Sequence, residues 1–278
     1  RNGEGFNMWN NYYHKPIASL NWELKLNNKT SLSATAYASL GRGGGSGDLG
    51  RNGSFGFFSS SRWRNPDNGY VLWDEVVKHN SGQTANWRYG STSMGLDAST
   101  GQYIVNDESF SSRSEYPRRN GWIQRNSVNS HNWFGAIANL KTELAENLTL
   151  DVGFDSRFYK GLHYRNVRDL LGSDGYRDSR YNGAPNTSGV VAATKEYQWP
   201  IGDVWNVFGD TDAEEKIDRN NNGVIDYFGL YFQLEYLMDD ISIFVQGSGS
   251  NKGYQREEFY LYANGDPLQY SEKTNIAG

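Results

Sequence analysis

Along this chain, apolar and polar residues alternate one by one in a few short stretches, and between them the alternation disappears. From Ala18 to Leu26 the apolar set Ala18, Leu20, Trp22, Leu24 and Leu26 interleaves with Ser19, Asn21, Glu23 and Lys25. Period 2 of this kind describes a strand with one apolar and one wet face. Asn27 to Thr30 make a tight turn, and Leu32, Ala34, Ala36, Ala38 and Leu40 return against Ser31, Ser33, Thr35, Tyr37 and Ser39. A second hairpin sets Phe134, Ala136, Ala138 and Leu140 beside Leu148, Leu150, Val152, Phe154 and Phe158, with a turn near Ala145 to Asn147. Ile137 falls on its polar side. A third joins Phe228, Leu230, Phe232, Leu234 and Tyr236 to Ile241, Ile243 and Val245 through Met238, Asp239 and Asp240. The predicted strands lie near 17–27, 31–40, 132–143, 148–159, 227–237 and 241–250, the last running on past Tyr254 toward Tyr262. Long loops are expected near 41–130 and 161–226, the first with a short helix around Val71 to Lys78.

Connections of that length are rare in compact soluble domains, where roughly 2 to 6 residues is usual. With 278 residues, 37% hydrophobic, and a mean hydropathy of -0.75, a large dry interior is not available to hold such loops. Aromatic residues reach 15%, Gly numbers 32 and Pro only 6, a strand and turn composition. The fold class expected is all-β. Three tight turns on one side and two long loops on the other, with strands polar on alternate positions, match a transmembrane antiparallel β-barrel segment of three hairpins and six strands with long extracellular loops. A β-sandwich would carry turn signals about every 8 to 12 residues. No apolar run reaches the roughly 18 residues of a membrane helix. The net charge of -5 gives no footprint for nucleic acid. With no cysteine, disulfides, thiolate metal sites and a Cys nucleophile are excluded. Arg1 in place of an initiator Met reads as a processed chain or an internal piece of a longer one.

Three stretches resemble the TonB-dependent outer-membrane receptors of Bacteroidetes, SusC-like in the broad sense. They are Asn11-Tyr-Tyr-His-Lys-Pro16 leading to Tyr37-Ala-Ser-Leu-Gly-Arg-Gly-Gly-Gly45, then Asp155 to Gly172, and Gly229-Leu-Tyr-Phe-Gln-Leu-Glu-Tyr236 with Phe244 to Ser250 and Tyr254-Gln-Arg256. The resemblance spans residues 1–278 as part of one barrel domain. It implies about 22 strands around a plug in the whole receptor, so the six counted here form part of the wall, with the plug domain absent. It also implies outer-membrane lipid around the barrel, the TonB complex as a partner through a missing N-terminal part, and for some such receptors a surface lipoprotein lid. The expected function is TonB-dependent nutrient uptake across the outer membrane, of a glycan or another polar nutrient. The alternative is a surface-exposed β-rich glycan-binding protein without transport activity.

Two stretches carry candidate chemistry. The first long loop holds Trp63, Trp73, Trp87, Tyr89 and Trp122, with Tyr103 and Tyr116, among Arg, Asn and Asp. Flat rings beside hydrogen-bonding groups suit a glycan; the same rings also serve to pack a long loop. Asp218, Asn220, Asn222, Val224 and Asp226 follow the first nine positions of an EF-hand loop, with Gly223 at the bend and Asp210 and Asp212 nearby. That makes Ca²⁺ a candidate ligand, against an Asn/Gly-rich turn feeding a strand. Position twelve is Gly229 rather than Glu. Gly45-Ser-Gly47-Asp-Leu-Gly50 matches a dinucleotide pattern without the helix that pattern needs and is read as flexible loop. His14, His79, His131 and His163 are scattered and read as structural. No required cofactor and no catalytic constellation is expected, hence no enzyme.

Overall fold

The computed structural model describes residues 3, 5–50, 61–106, 121–178, 191–198 and 214–278. In chain order its elements are β1 (Asn11–His14), β2 (Ile17–Lys25), β3 (Thr30–Gly50), α1 (Trp73–Asn80), β4 (Ala85–Trp87), β5 (Gly90–Thr92), β6 (Ile104–Asn106), β7 (Trp122–Ala145), β8 (Leu148–Asp169), β9 (Gly175–Arg177), β10 (Val191–Ala193), β11 (Asn220–Met238), β12 (Ile241–Glu258) and β13 (Thr274–Ala277), with two short 3-10 turns. The protein is mostly β, and its main sheet is antiparallel. The order is β1-β3-β7-β8-β11-β12-β13, with β2 also on β3. β1 and β2 lie along one edge, separated at Lys15-Pro16, where proline has no N–H for a ladder. The two edges of the sheet do not pair with each other.

All six predicted strands are present, and their register carries each apolar set to the same side. Leu24, Leu32, Leu140, Val152, Phe232 and Gly247 stand side by side across six strands, and so do Trp22, Ala34, Ala138, Phe154, Leu230 and Gly249. Further along, Leu150, Leu234 and Val245 continue the pattern, then Leu148, Tyr236 and Ile243. This apolar face is bare: Leu20 is 72% exposed, Trp22 61%, Phe158 63% and Val245 62%. Ile137 sits between Thr35 and Asp155 on the other face, an apolar residue in a polar row. The hairpin links Glu146-Asn147 and Asp239-Asp240 are two residues long, and Asp239 has φ 47°.

Three of the six strands, β3, β7 and β8, run on about ten residues further than the alternation predicted, β11 begins seven residues earlier, and β12 ends at Glu258. The Gly-rich stretch 41–50, expected as flexible loop, is the second half of β3. The reason is that the polar side chains here are the buried ones. Ser46, Gln124, Asn126 and Asn166 are all enclosed. Ser46 Oγ donates to the Met8 carbonyl at 2.7 Å and Gln124 Nε2 to the same carbonyl at 2.9 Å. Asn126 Nδ2 donates to Asn166 Oδ1 at 2.8 Å and to the Tyr197 carbonyl at 2.9 Å. Hydrogen-bonded polar groups can be buried at little net cost, so no hydrophobic period marks these segments.

What covers them is a cap folded from the described parts of the two long connections. One cluster joins Met8, Trp63, Val76, Ala85, Trp87, Trp122 and Leu171; a second joins Met94, Val105, Ile123, Val167, Leu170, Tyr176 and Ile217. The helix expected at 71–78 is α1. Asp74 and Glu75 occupy its first turn and Lys78 and His79 its last, each sign at the end of the helix dipole that favours it. Val76, His79 and Asn80 face inward. Asn80 ties the cap to the sheet: its Nδ2 donates to the Trp122 carbonyl at 2.6 Å and the Leu171 carbonyl at 3.1 Å, and its Oδ1 accepts from Trp122 N at 3.3 Å. Across the cap, Asp97 bridges the first connection to Arg177 of β9 at 2.5 Å.

Two outcomes follow for the cap. Asn80→Leu removes the side-chain donor to the buried carbonyls of Trp122 and Leu171 and is expected to destabilise the cap by about 1 to 3 kcal/mol; amide exchange should rise around 73–87 and 122–124 while residues 134–158 stay protected. Partial burial works against the charge on Asp97, but hydrogen bonds from Ser99 and Arg177 win and hold its carboxyl well below the ordinary carboxylate range. A lowered folded-state pKa means that the contribution is fully present above about pH 4 and is lost as pH falls through the lowered value. Asp97→Asn should loosen the contacts of 97–101 with 175–177 at neutral pH, and in the parent protein exchange there should rise only in strong acid.

Candidate functional site: the polar face of the sheet

The face opposite the apolar rows is built by the same alternation, one residue out of step. Its rows include Ser19, Tyr37, Gly135, Arg157, Tyr227 and Lys252, then Asn21, Thr35, Ile137, Asp155, Gly229 and Ser250, then Glu23, Ser33, Asn139, Gly153, Tyr231 and Ser248. On this side aromatic rings lie down over glycines. A Cβ on Gly135 would stand 2.2 Å from the Tyr37 ring, and one on Gly153 would stand 2.2 Å from Tyr231. Gly41 and Gly43 are covered in the same way by His131 and Tyr13. Rings laid flat in this manner shield strand glycines and keep the wall shallow.

Near the cap the rings form a connected group. Tyr37 meets Trp133 edge to face at 5.6 Å, and His131 stacks on Tyr159 at 5.7 Å. The two nitrogens of His131 contact the Tyr13 hydroxyl and Ser39 Oγ, each at 3.2 Å, so the ring is held by partners on both sides. Arg157 reaches Asp155 at 2.5 Å and lies 5.3 Å over the Tyr227 ring. Lys15 lies 5.4 Å over Trp133 and Lys252 5.0 Å over Tyr254. Lower on this face a cleft of about 660 Å³ is lined by Asn139, Asp151, Tyr231, Gln233, Gln246 and Ser248. The arrangement offers hydroxyl and amide groups beside one carboxylate, Asp151, below, and cations seated on rings above.

The residues singled out by the sequence fall elsewhere. Trp63, Trp87 and Trp122 form a buried triad, with ring centres 4.6, 5.1 and 6.2 Å apart and His79 5.7 Å from Trp122. At 2%, 8% and 0% exposure they have no face left for a glycan, so their place is the packing of the connection. Trp73 is half-buried against Phe6 at 4.7 Å. Tyr89 is open to solvent at the tip of the β4–β5 hairpin, with Arg88 over its ring. Tyr103 packs against the second cluster.

The EF-hand reading is corrected by the backbone. Asn220, Asn222, Val224 and Asp226 are consecutive same-face positions of β11. An extended chain spreads them over about 20 Å, whereas ligands of one Ca²⁺ gather about 2.3 to 2.6 Å from the ion. Asp218 precedes the strand with φ 58° and pairs with Arg165. Asn222 donates to Glu257 at 2.8 Å, and Asp226 pairs with Lys273 at 2.6 Å. The alternative, an Asn/Gly-rich turn feeding a strand, places the segment too early, because Asn220 to Asp226 already belong to β11. Tyr116, Asp210 and Asp212 lie outside the described residues. The polar-face group was not singled out as a site, though its signal was present: an aromatic ring stands opposite a glycine at Tyr13/Gly43, His131/Gly41, Tyr37/Gly135 and Tyr231/Gly153.

Compared with protein-family models and with curated proteins, the chain matches none.

Because the Tyr37 ring occupies the space above Gly135, Gly135→Val should destabilise the sheet by about 1 to 3 kcal/mol. Adding Tyr37→Ala should return much of that loss. Unfolding midpoints of the two single variants and the double variant measure the coupling; additive losses would mean that the ring does not need the glycine.

Proposed function

We propose that this chain is part of the wall of an outer-membrane β-barrel of the TonB-dependent receptor kind, which takes up a polar nutrient. The observation that carries the reading is the apolar face. Five successive rows, from Ala18 to Leu26 along the sheet's edge, extend about 27 Å along the strands at roughly 3.4 Å per residue, close to the roughly 25 Å apolar band of such barrels. In lipid every backbone polar group has to be paired, and a sheet does this laterally. The apolar side would face lipid and the polar, ring-lined side a hydrated lumen. Tight links would lie at the periplasmic end. The cap would lie outside, where it would meet a surface lipoprotein partner if one exists.

Free edges are costly in a bilayer, so β2 and β12 would pair with further strands of the same wall. Energy for uptake would come through the TonB complex, a feature that rests on the resemblance of the three stretches alone.

Fractionation of the native organism tests this reading. The protein should sediment with outer membranes, resist alkaline extraction and need detergent for release, and deleting its gene should abolish uptake of one nutrient in a TonB-dependent manner. Recovery of the chain as a freely soluble protein would overturn the proposal and favour a glycan-binding role without transport.

A further inference from the structure

We propose that the upper part of the polar face binds a polyanionic ligand, an acidic oligosaccharide bearing two or more carboxylate or sulfate groups. This deepens the uptake reading and rests on it for the direction in which the face points. The argument begins with how cations are treated on the two sides of one sheet. At the rim of the apolar face, Lys160 pairs with Glu257 at 2.8 Å and Lys273 with Asp226 at 2.6 Å. On the polar face two cations of the neighbouring rows, Lys15 and Lys252, sit on rings with no carboxylate partner among the described residues, and Arg157 both sits on a ring and pairs with Asp155. Lys15 is over Trp133, Arg157 over Tyr227 and Lys252 over Tyr254, and Arg256 follows on the same side through the register His131, Gly161, Gly223, Arg256.

Lys15, Lys252 and Arg256 are exposed, and no carboxylate of the described residues pairs with them. Of the carboxylates sharing these rows, Asp155 is taken by Arg157, and Glu258 is buried and accepts from the Tyr260 amide. A ring steadies a cation through its π face without cancelling the charge, so each ammonium or guanidinium keeps donors free for an anion. In a chain of net charge -5 this is a local excess of positive charge against the global balance. Such focusing raises the local concentration of an oppositely charged ligand.

The spacing sets the ligand's size. From Trp133 on β7 to Lys252 on β12 there are three strand steps, about 14 Å, so one small anion would engage only part of the row. Below it, Thr35, Ser250, Tyr231, Ser248 and Gln246 present hydroxyl and amide groups without net charge, which suits the hydroxylated body of a saccharide.

The test uses the detergent-solubilised native protein and three probes: a galacturonic acid trisaccharide, a neutral glucose trisaccharide and citrate. Calorimetry should show the acidic trisaccharide binding at least about tenfold tighter than either other probe, with affinity falling as salt is raised. The double variant Lys252→Gln, Arg256→Gln should lose about tenfold for the acidic trisaccharide while keeping its melting temperature and its elution volume. Equal binding of the neutral trisaccharide, citrate as tight as the acidic trisaccharide, or acidic binding indifferent to the double variant would each overturn the assignment. Failure here with the protein still in the outer membrane overturns the ligand class alone; a freely soluble protein overturns the uptake reading instead.

Discussion

Lateral register is the constraint on which everything else in this molecule depends. Because side chains alternate sides with period 2, a slip of one residue between any two strands would send the whole apolar set of one of them to the polar side. Along β7 the pairing with β8 shifts only at Gln124/Arg125 and at Glu143/Ala145, on either side of the stretch from Phe134 to Leu140. Between those points, Phe134 to Leu140 stay level with Phe158 to Val152. The bulges sit where the strand enters the cap and where it enters the turn, so the intervening rows stay continuous.

One covalent strand therefore serves two environments in succession. Its turn-proximal half presents bare apolar residues on one side and polar groups on the other. Its cap-proximal half buries polar groups and joins the cap by hydrogen bonds, with Asn80, Gln124 and Asn126 reaching main-chain oxygens. The cap holds its own apolar core around the Trp63, Trp87 and Trp122 triad, so large aromatics that read as a binding surface in sequence are what gives the long connection its shape.

How much was legible follows from these environments. The turn-proximal halves of the strands were readable to within a few residues because exposure to two unlike media writes a period-2 code. The cap-proximal halves were not, since His131, Asn126 and Gln124 are polar yet buried, and Gly41 to Gly47 look like a flexible segment until the rings lying over Gly41 and Gly43 are seen. Helix α1, at Trp73–Asn80, lies within two residues of the short helix expected at Val71 to Lys78. The candidate sites fared worse for the same reason. Sequence cannot say whether Trp87 faces solvent or Trp63, and an Asx-rich run ending in Val-Ile-Asp reads as a loop or as the first residues of β11 until strand pairing decides.

The measurement that bears most directly on the two-faced sheet uses the absence of cysteine, since each introduced thiol is then the sole one. Spin labels placed in turn along 134–141 and 227–234 of the protein in lipid bilayers would be read for collision with oxygen, which partitions into lipid, and with a water-soluble nickel chelate. The account predicts a strict alternation: labels at 134, 136, 138, 228, 230 and 232 favour oxygen, and labels at 139, 227 and 231 favour nickel. Equal access of the aqueous quencher to both sets would contradict it, because the apolar rows would then face water or protein rather than a membrane.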